Sequence, residues 1–305
     1  MNCKIQKSKL NGRIICPSNK SYTHRAIFLA ALSDGKSIVK KILRSNDTLA
    51  TISACRGFGV EVEEVEDKVT INNTIDSTVG NSMIDAENSG TTIRIAIAVA
   101  ALSGGNTTLT GDESLRKRPM QPILDSLETM GVKTESDNGK PPIRINGKIE
   151  GNEISIKGDI SSQFISALMI IGPRLQNGLT INVEGELVSK PYVDLTIAIM
   201  KKFGVEVNTD EKYKRYQIAH QIYKPTTFSI PSDFSNLALL LAANVLLGDC
   251  LTIEINLGDM PQGDEAIVDI LERLGVNVTL EEDIITTESP ILLKGGKFDL
   301  SNTPD

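Results

Sequence analysis

Tryptophan is missing from the 305-residue chain, aromatic residues make up only 4% of it, and 32 Lys and Arg against 39 Asp and Glu leave a formal charge of −7. A general nucleic-acid binder needs a basic footprint and usually stacking platforms, so this composition argues against one. Any anion site has to be local and focused. Histidine occurs only at His24 and His220, and the four cysteines, Cys3, Cys16, Cys55 and Cys250, include no C-x-x-C pair. That pattern argues against structural zinc and reads as the reduced core thiols of a cytoplasmic protein. The longest apolar runs, near residues 95–102 and 237–247, are well short of the ~20 residues that span a bilayer. The opening MNCKIQKSKL begins a strand-like pattern and has no apolar h-region, so no secretory signal is expected. What remains, 40% hydrophobic and 23% charged residues, is ordinary for a globular chain of about two domains.

The chain repeats itself. Gly59-Val60, Gly131-Val132, Gly204-Val205 and Gly275-Val276 recur at spacings of 72, 73 and 71 residues. An amphipathic helix pattern precedes each pair and an alternating strand pattern follows it. The glycine suits a helix C-terminus, where a left-handed residue turns the chain into the strand. Gly35, Gly104, Gly178 and Gly248 keep nearly the same period, each closing a more apolar helix ahead of a β-rich run. The unit reads strand, buried helix, strand, amphipathic helix, strand, strand, a repeated βαβαββ module of the α/β class. Helices apolar on most faces belong in an interior, which predicts helices inside and four-stranded sheets outside. Two lobes are expected: residues 14–226 with three units, and residues 1–13 plus 227–305 with an incomplete second lobe.

The four apolar helices open on SNKSYTHR, ENSGTTIR, DISSQF and SDFSN. Ser, Thr, Asn and Asp cap exposed N–H groups there, and the positive end of the helix dipole favours anions. Lys20 and Arg25 on a helix's first turns oppose that dipole, so stability does not explain them and a bound anion does. Arg94 repeats the device one unit later, where Gly90 permits close backbone approach. In LRKRPMQP, Arg116, Lys117 and Arg118 precede Pro119, a helix-opening proline. Ser161, Ser162 and Gln163, with Ser189 and Tyr192 of SKPY, offer hydroxyls and an amide suited to a polyhydroxylated, phosphorylated small molecule.

Over its whole length the chain resembles the 3-phosphoshikimate 1-carboxyvinyltransferase (EPSP synthase) family. PSNKSYTHRA is similar to P-G-S-K-S-x-x-x-R-A, SND at residues 45–47 to S-x-D, and ENSGTTIR to G-N-[SA]-G-T-x-x-R. KRP at residues 117–119 resembles the family's R-P, GDISSQFISALM its G-x-x-S-S-Q-[FY]-x-S-A-L, and SKPYVDLT a family signature. The resemblance implies a two-lobed enolpyruvyl transferase-like fold. It also implies transfer of the enolpyruvyl group of phosphoenolpyruvate to the 5-hydroxyl of shikimate 3-phosphate, with phosphate released, a step of aromatic amino-acid biosynthesis. Carried over by position, Lys20 contacts both substrates. Ser21, Arg25, Ser161, Ser162, Gln163, Ser189 and Tyr192 hold shikimate 3-phosphate, while Gly90, Arg118 and Gln163 complete the phosphoenolpyruvate site. The final DLSNTPD resembles the segment ending in the family's catalytic aspartate, which would make Asp305 the group that takes the 5-hydroxyl proton. No cofactor or metal, no nucleic acid and no membrane are implied, and the protein is expected to be a cytoplasmic monomer when full length.

Some positions depart from the pattern. Ser18 and Asn19 stand where glycine and serine usually precede the lysine, and Glu87 stands where glycine often precedes Asn88. The family has six repeats whereas four are visible here. The chain therefore reads as C-terminally truncated, able to bind shikimate 3-phosphate but not to turn over by itself. His24, between proposed ligand residues, reads as packing or support. Two alternatives are UDP-N-acetylglucosamine enolpyruvyl transferase, which has Lys-Asn in place of Lys20-Ser21 and a reactive cysteine after its Arg-Pro step, and a non-catalytic phosphate-binding module of the same fold.

Overall fold

Gly59, Gly131, Gly204 and Gly275 adopt φ values of +80°, +93°, +80° and +92°. Only glycine enters this left-handed region without strain, so the 72-residue period marks four real chain reversals. The computed structural model describes residues 9–72, 75, 82–288 and 292–303. Strand β1 (Leu10–Ile15) leads into a first repeat of α1 (Lys20–Leu32), β2 (Ser37–Lys40), α2 (Asn46–Gly57), β3 (Val62–Val65) and β4 (Lys68–Ile71). The second comprises β5 (Ser82–Asp85), α3 (Gly90–Ser103), β6 (Asn106–Thr110), α4 (Gln121–Thr129), β7 (Lys133–Asp137) and β8 (Lys140–Asn146). The third runs through β9 (Glu153–Lys157), α5 (Ser162–Ile171), β10 (Leu179–Glu184), α6 (Lys190–Lys202), β11 (Asn208–Thr209) and β12 (Arg215–Ile218). The fourth has β13 (Thr227–Ser229), α7 (Phe234–Leu247), β14 (Gly248–Glu254), α8 (Ala266–Arg273), β15 (Asn277–Glu281) and β16 (Ile284–Glu288).

Each repeat builds a four-stranded sheet of the same design. The orders are β5-β6-β8-β7, β9-β10-β12-β11, β13-β2-β4-β3 and β1-β14-β16-β15. The opening pair is parallel and the others antiparallel. A parallel pair needs a crossover, which the apolar helix supplies. The opening strands of the first and fourth sheets have changed places. β1, which precedes α1, pairs with β14 (Ile14↔Ile253), and β13, which precedes α7, pairs with β2 (Phe228↔Val39).

That exchange divides the chain into two compact units, Lys20–Ile230 and the combination of Met1–Asn19 with Pro231–Asp305. Sequence places the crossovers near residues 14–17 and 224–231, and the units divide at 19/20 and 230/231. β1 continues its ladder on β14 through Ile15, and the Cys16 N–H donates to the Glu254 carbonyl at 2.8 Å. β13 in turn is claimed by the first repeat's sheet, where the Ile230 N–H donates to the Lys40 carbonyl at 2.9 Å. Backbone pairing decides where a connecting segment belongs.

Within the three-repeat unit, α1, α3 and α5 are interior helices. α1 is buried at every position from Tyr22 to Leu32, and α5 from Phe164 to Ile171. Burying each large apolar side chain there contributes about 1.5–3 kcal/mol. Helices α2, α4 and α6 bury one face only. Ser45, Ser89 and Ser161 cap α2, α3 and α5 through their hydroxyls, the first in a reciprocal capping box with Thr48.

In the one-repeat unit, Leu237 and Leu241 of α7 pack with Ile253, Leu271, Val276 and Ile285. The helix is mostly apolar, yet Leu239 and Leu246 remain 72% and 70% exposed. Asn19 closes this unit's network: its amide donates to Asp233 Oδ1 at 3.0 Å and Gln262 Oε1 at 2.8 Å. Among the described residues no helix is long and apolar enough to cross a membrane, and no group of three or more His, Cys, Asp or Glu is arranged to hold a metal ion.

Candidate active site

The first turns of α1, α2, α3 and α5, with the loop ahead of α4, converge on one open cavity of about 370 Å³. Lys20, Asp47, Asn88, Gly90, Thr91, Arg94, Arg118 and Gln163 line it. Helices α1, α3 and α5 carry no acidic residue in their first turns, so the partial positive charge of three helix ends stands uncompensated there. Lys20 Nζ lies 3.6 Å from Asp47 Oδ2. One carboxylate therefore faces three cations.

Gly90 separates the two guanidiniums. A Cβ built on it would lie 2.7 Å from Arg94 Nη1 and 2.9 Å from Arg118 Nη1. Arg94 Nη1 donates to the Gly90 carbonyl at 3.0 Å and to Gln163 Oε1 at 2.8 Å, which ties α3 to α5, and its guanidinium lies 5.2 Å from the centre of the Phe164 ring. Arg118 Nη2 donates to Asn88 Oδ1 at 3.0 Å. Burial first, and then the charge of Arg118, push Arg94 down to about 10. It stays charged at neutral pH but without an ionic partner among the described residues. An anion carrying two acidic groups is what such a pair can accept, since each guanidinium presents a fork of donors.

Arg25 makes a second centre. It is 2% exposed, its Nε donates to Thr196 Oγ1 at 2.8 Å on α6, and its Nη1 donates to the Ser21 carbonyl at 3.1 Å. Thr196 passes its own proton to Ser166 Oγ at 2.9 Å or the Tyr192 carbonyl at 2.7 Å. Neither partner of Arg25 is a carboxylate. Burial pushes the guanidinium down to about 10, with Tyr192 and Tyr22 acting in the opposite direction. A buried cation held by neutral groups is costly unless a counter-ion completes it.

The structure brings most of the sequence-assigned residues to these two centres. Lys20, Gly90, Arg118 and Gln163 line the cavity, and Ser21 and Tyr192 stand at Arg25. Ser161 accepts the Gln163 N–H at 3.3 Å as the cap of α5, and Ser162 is buried in its first turn. Ser189 precedes α6 in a left-handed conformation (φ 54°, ψ 46°) and makes no side-chain capping bond, so its hydroxyl is not used for capping. Of the basic run, Arg116 and Lys117 are exposed, with Lys117 paired to Glu113 at 2.7 Å, and Arg118 alone reaches the cavity. Asp305 lies outside the described residues. Asn19 and His220 do not line the cavity; the His220 Nδ1 faces the Leu175 carbonyl at 3.0 Å.

Arg94, read from sequence as a second basic residue at an anion-favouring helix start but assigned to neither substrate, lines the cavity together with Asp47 and Asn88. Arg94 had a readable signal, standing four residues after Gly90 and so on the same helix face. Asp47 and Asn88 had none beyond their capping segments. Nor did sequence mark Asp194, whose Oδ2 accepts the Tyr213 hydroxyl at 3.2 Å and whose carboxyl burial pushes up.

His24 does not line the cavity. It is 1% exposed with Nδ1 2.6 Å from Thr51 Oγ1. Burial, then the charges of Arg25 and Lys20, push it down to about 3, so the folded protein holds it neutral while the unfolded chain binds a proton below about 6.5. Stability is then full above that value and falls as pH drops from about 6.5 toward 3, at up to roughly 1.4 kcal/mol per pH unit. Denaturant melts between pH 7 and 5 should show this slope, and His24→Asn should flatten it. An imidazole C2-proton resonance of His24 that titrates near pH 6.5 in the folded state would refute the assignment.

A family model described as EPSP synthase (3-phosphoshikimate 1-carboxyvinyltransferase) matches residues 5–305. The 3-phosphoshikimate 1-carboxyvinyltransferase of Nitrosopumilus maritimus is 54% identical over 305 residues, covering 100% of this chain and 72% of its own length. That of Methanosphaera stadtmanae is 41% identical over 315 residues, covering 100% of this chain and 74% of its own. Among solved structures, EPSP synthase from Acinetobacter baumannii superposes with a TM-score of 0.77 at 25% identity, over 92% of this chain and 65% of that one. The enolpyruvyl transferase NikO from Streptomyces tendae shares the fold, with a TM-score of 0.67 at 17% identity over 93% of this chain and 67% of that one.

Proposed function

Since the chain belongs to the EPSP synthase family, we propose that it transfers the enolpyruvyl group of phosphoenolpyruvate to the 5-hydroxyl of shikimate 3-phosphate. The observation that carries this reading is the Arg94 and Arg118 pair flanking Gly90, with Lys20 beside it and, among the described residues, a single carboxylate, Asp47, in the same cavity. Phosphoenolpyruvate carries a carboxylate and a phosphate on adjacent positions, and two guanidiniums with an ammonium match both. Arg94 joins Lys20, Gly90, Arg118 and Gln163 in that role.

Shikimate 3-phosphate goes to the second centre. Arg25 meets the phosphate, Ser21, Ser161, Ser162 and Ser189 give it hydroxyl donors, and Tyr192 flanks the ring. Gln163, bonded to Arg94 on one side and next to Ser162 on the other, spans the two substrates. The 5-hydroxyl oxygen adds to C2 of phosphoenolpyruvate while C3 gains a proton. The tetrahedral adduct then loses that proton and its phosphate, leaving an enol ether. Lys20 and the two arginines hold phosphate oxygens as charge moves onto the leaving group, which is electrostatic stabilisation by groups already in place. Asp305 is proposed to take the hydroxyl proton.

Calorimetric titration tests the reading: shikimate 3-phosphate should bind, phosphoenolpyruvate should bind to the complex, and UDP-N-acetylglucosamine should not. Phosphate release requiring both substrates, from a chain extended to the full length of its relatives, identifies the transfer; this chain alone should bind shikimate 3-phosphate without turnover. Failure of shikimate 3-phosphate to bind the folded chain would overturn the assignment. The same reading makes the protein a cytosolic monomer, in keeping with the thiols of Cys16 and Cys55, which are free, buried and pushed up to about 11 and about 12 by that burial. Sedimentation of the full-length protein at the mass of one chain checks it.

A further inference from the structure

His24, Thr51 and Thr92 stand on three different helices, α1, α2 and α3, and none is more than 1% exposed. Their polar atoms form one line. His24 Nδ1 lies 2.6 Å from Thr51 Oγ1, which lies 2.7 Å from Thr92 Oγ1, which lies 2.7 Å from Ser89 Oγ. Ser89 is the cap of α3 and also accepts the Thr92 N–H at 3.2 Å. Thr92 Oγ1 is 3.3 Å from the Asp47 carbonyl in the first turn of α2. The line thus starts in the apolar interior and ends on the two backbone stretches, at Asp47 and at Ser89 and Gly90, that wall the cavity.

Donor counting gives the line a direction. Each hydroxyl has one proton, and the far end offers acceptors: the Asp47 carbonyl, and the Ser89 oxygen that already receives an N–H. If Nδ1 carries the imidazole proton, His24 donates to Thr51, Thr51 to Thr92, and Thr92 to Ser89 or Asp47. A lone pair on His24 Nε2 is then left bare, and that atom has no partner among the described residues. With the proton on Nε2, a buried N–H would be orphaned instead, which folded proteins rarely tolerate. A core of apolar side chains with the same shape would be as stable or more so, but nothing in it would set the start of α3 against the start of α2.

We propose that His24, Thr51 and Thr92 are positioning residues, a directed hydrogen-bond line that holds the cap of α3, and with it Gly90 and Arg94, in register for phosphoenolpyruvate. The proposal rests on the function given above. It assigns these residues to one of the two substrates only, because the line ends at the Gly90 wall and does not touch Arg25, Thr196 or Ser166.

The test measures both ligands on three proteins: wild type, Thr51→Val and Thr51→Ser. With shikimate 3-phosphate saturating, Thr51→Val should bind phosphoenolpyruvate about five- to tenfold more weakly, the size expected of one buried hydrogen bond transmitted to the site. Its affinity for shikimate 3-phosphate should stay within about twofold, and Thr51→Ser, which keeps the hydroxyl, should match wild type on both. Equal losses for the two ligands, or no loss in a folded Thr51→Val, would overturn the proposal. Should Thr51→Val not fold, nitrogen-15 spectra of wild-type His24 decide it: an Nδ1-protonated ring is expected, and an Nε2-protonated ring overturns the direction and the proposal with it. If wild type itself bound no phosphoenolpyruvate, the functional reading would have failed, an outcome distinct from a wild type that binds and a variant that binds equally well.

Discussion

Arg25→Met should weaken shikimate 3-phosphate binding by roughly 30- to several-thousandfold, the 2–5 kcal/mol expected when one partner of a desolvated charge pair is removed, while leaving the folded protein no less stable. The two halves of this result come from one observation. The guanidinium is 2% exposed, bonded among the described residues to a threonine hydroxyl and a backbone carbonyl, and burial already pushes it down to about 10. Among the described residues it is a buried cation without a carboxylate partner, which costs stability. A methionine of similar length fills the same space without that cost and leaves Thr196 its bonds to Ser166 and Tyr192. Titration calorimetry with a thermal melt of the same sample checks both. Unchanged affinity would remove Arg25 from the site. A loss of affinity matched by a large drop in melting temperature would make it a packing residue.

Gly90→Ala should weaken phosphoenolpyruvate binding by about a hundredfold, with shikimate 3-phosphate affinity nearly unchanged. The added Cβ would stand 2.7 Å and 2.9 Å from the inner nitrogens of Arg94 and Arg118. No atom tolerates that contact, but both contacts are the ends of flexible side chains, so they swing aside and the fold stays intact. A shift of about 1 Å in a positioning group can cost about a hundredfold. Alanine in the first turn of α3 also restricts the unfolded chain, so the melting temperature should hold or rise slightly. Affinity measured for each substrate decides: equal weakening of both, or no weakening at all, would count against the two guanidiniums as the phosphoenolpyruvate clamp.

Both effects depend on charges that sequence could list but not arrange. The run of Arg116, Lys117 and Arg118 reads as three equivalent cations. A 3-10 turn at Leu115–Lys117, anchored by the fully buried Leu115, leaves only Arg118 over the cavity. Arg94 was legible as a second basic residue at a helix start. That its charge is shared with Arg118 across a glycine, and that Gln163 of another repeat holds it at 2.8 Å, are facts about residues 24 and 69 positions apart. His24 sits between two ligand residues in sequence, yet its ring turns into the core toward Thr51. Adjacent positions on a helix point about 100° apart, and packing of the three helices decides which direction is the interior.

By itself the sequence determined what is local and periodic. The left-handed glycines at 59, 131, 204 and 275, the serine caps at 45, 89 and 161, and the alternation of apolar and amphipathic helices each follow from the conformational preferences of a few neighbouring residues. Their repetition was enough to establish the βαβαββ unit, while the family came from the resemblance of motifs such as PSNKSYTHRA and SKPYVDLT. That residues 1–13 share a lobe with residues 227–305 was already expected; only the tertiary structure decided the strand partners and register, β1 on β14 and β13 on β2. Backbone ladders are nearly the same for any strand of suitable pattern, so the partner is chosen by the packing of whole repeats and by no signal within the strand. The same holds for the site: each cation is a local choice, but its burial, its missing counter-ion and its distance from the next cation exist only once helices from three repeats have been brought together.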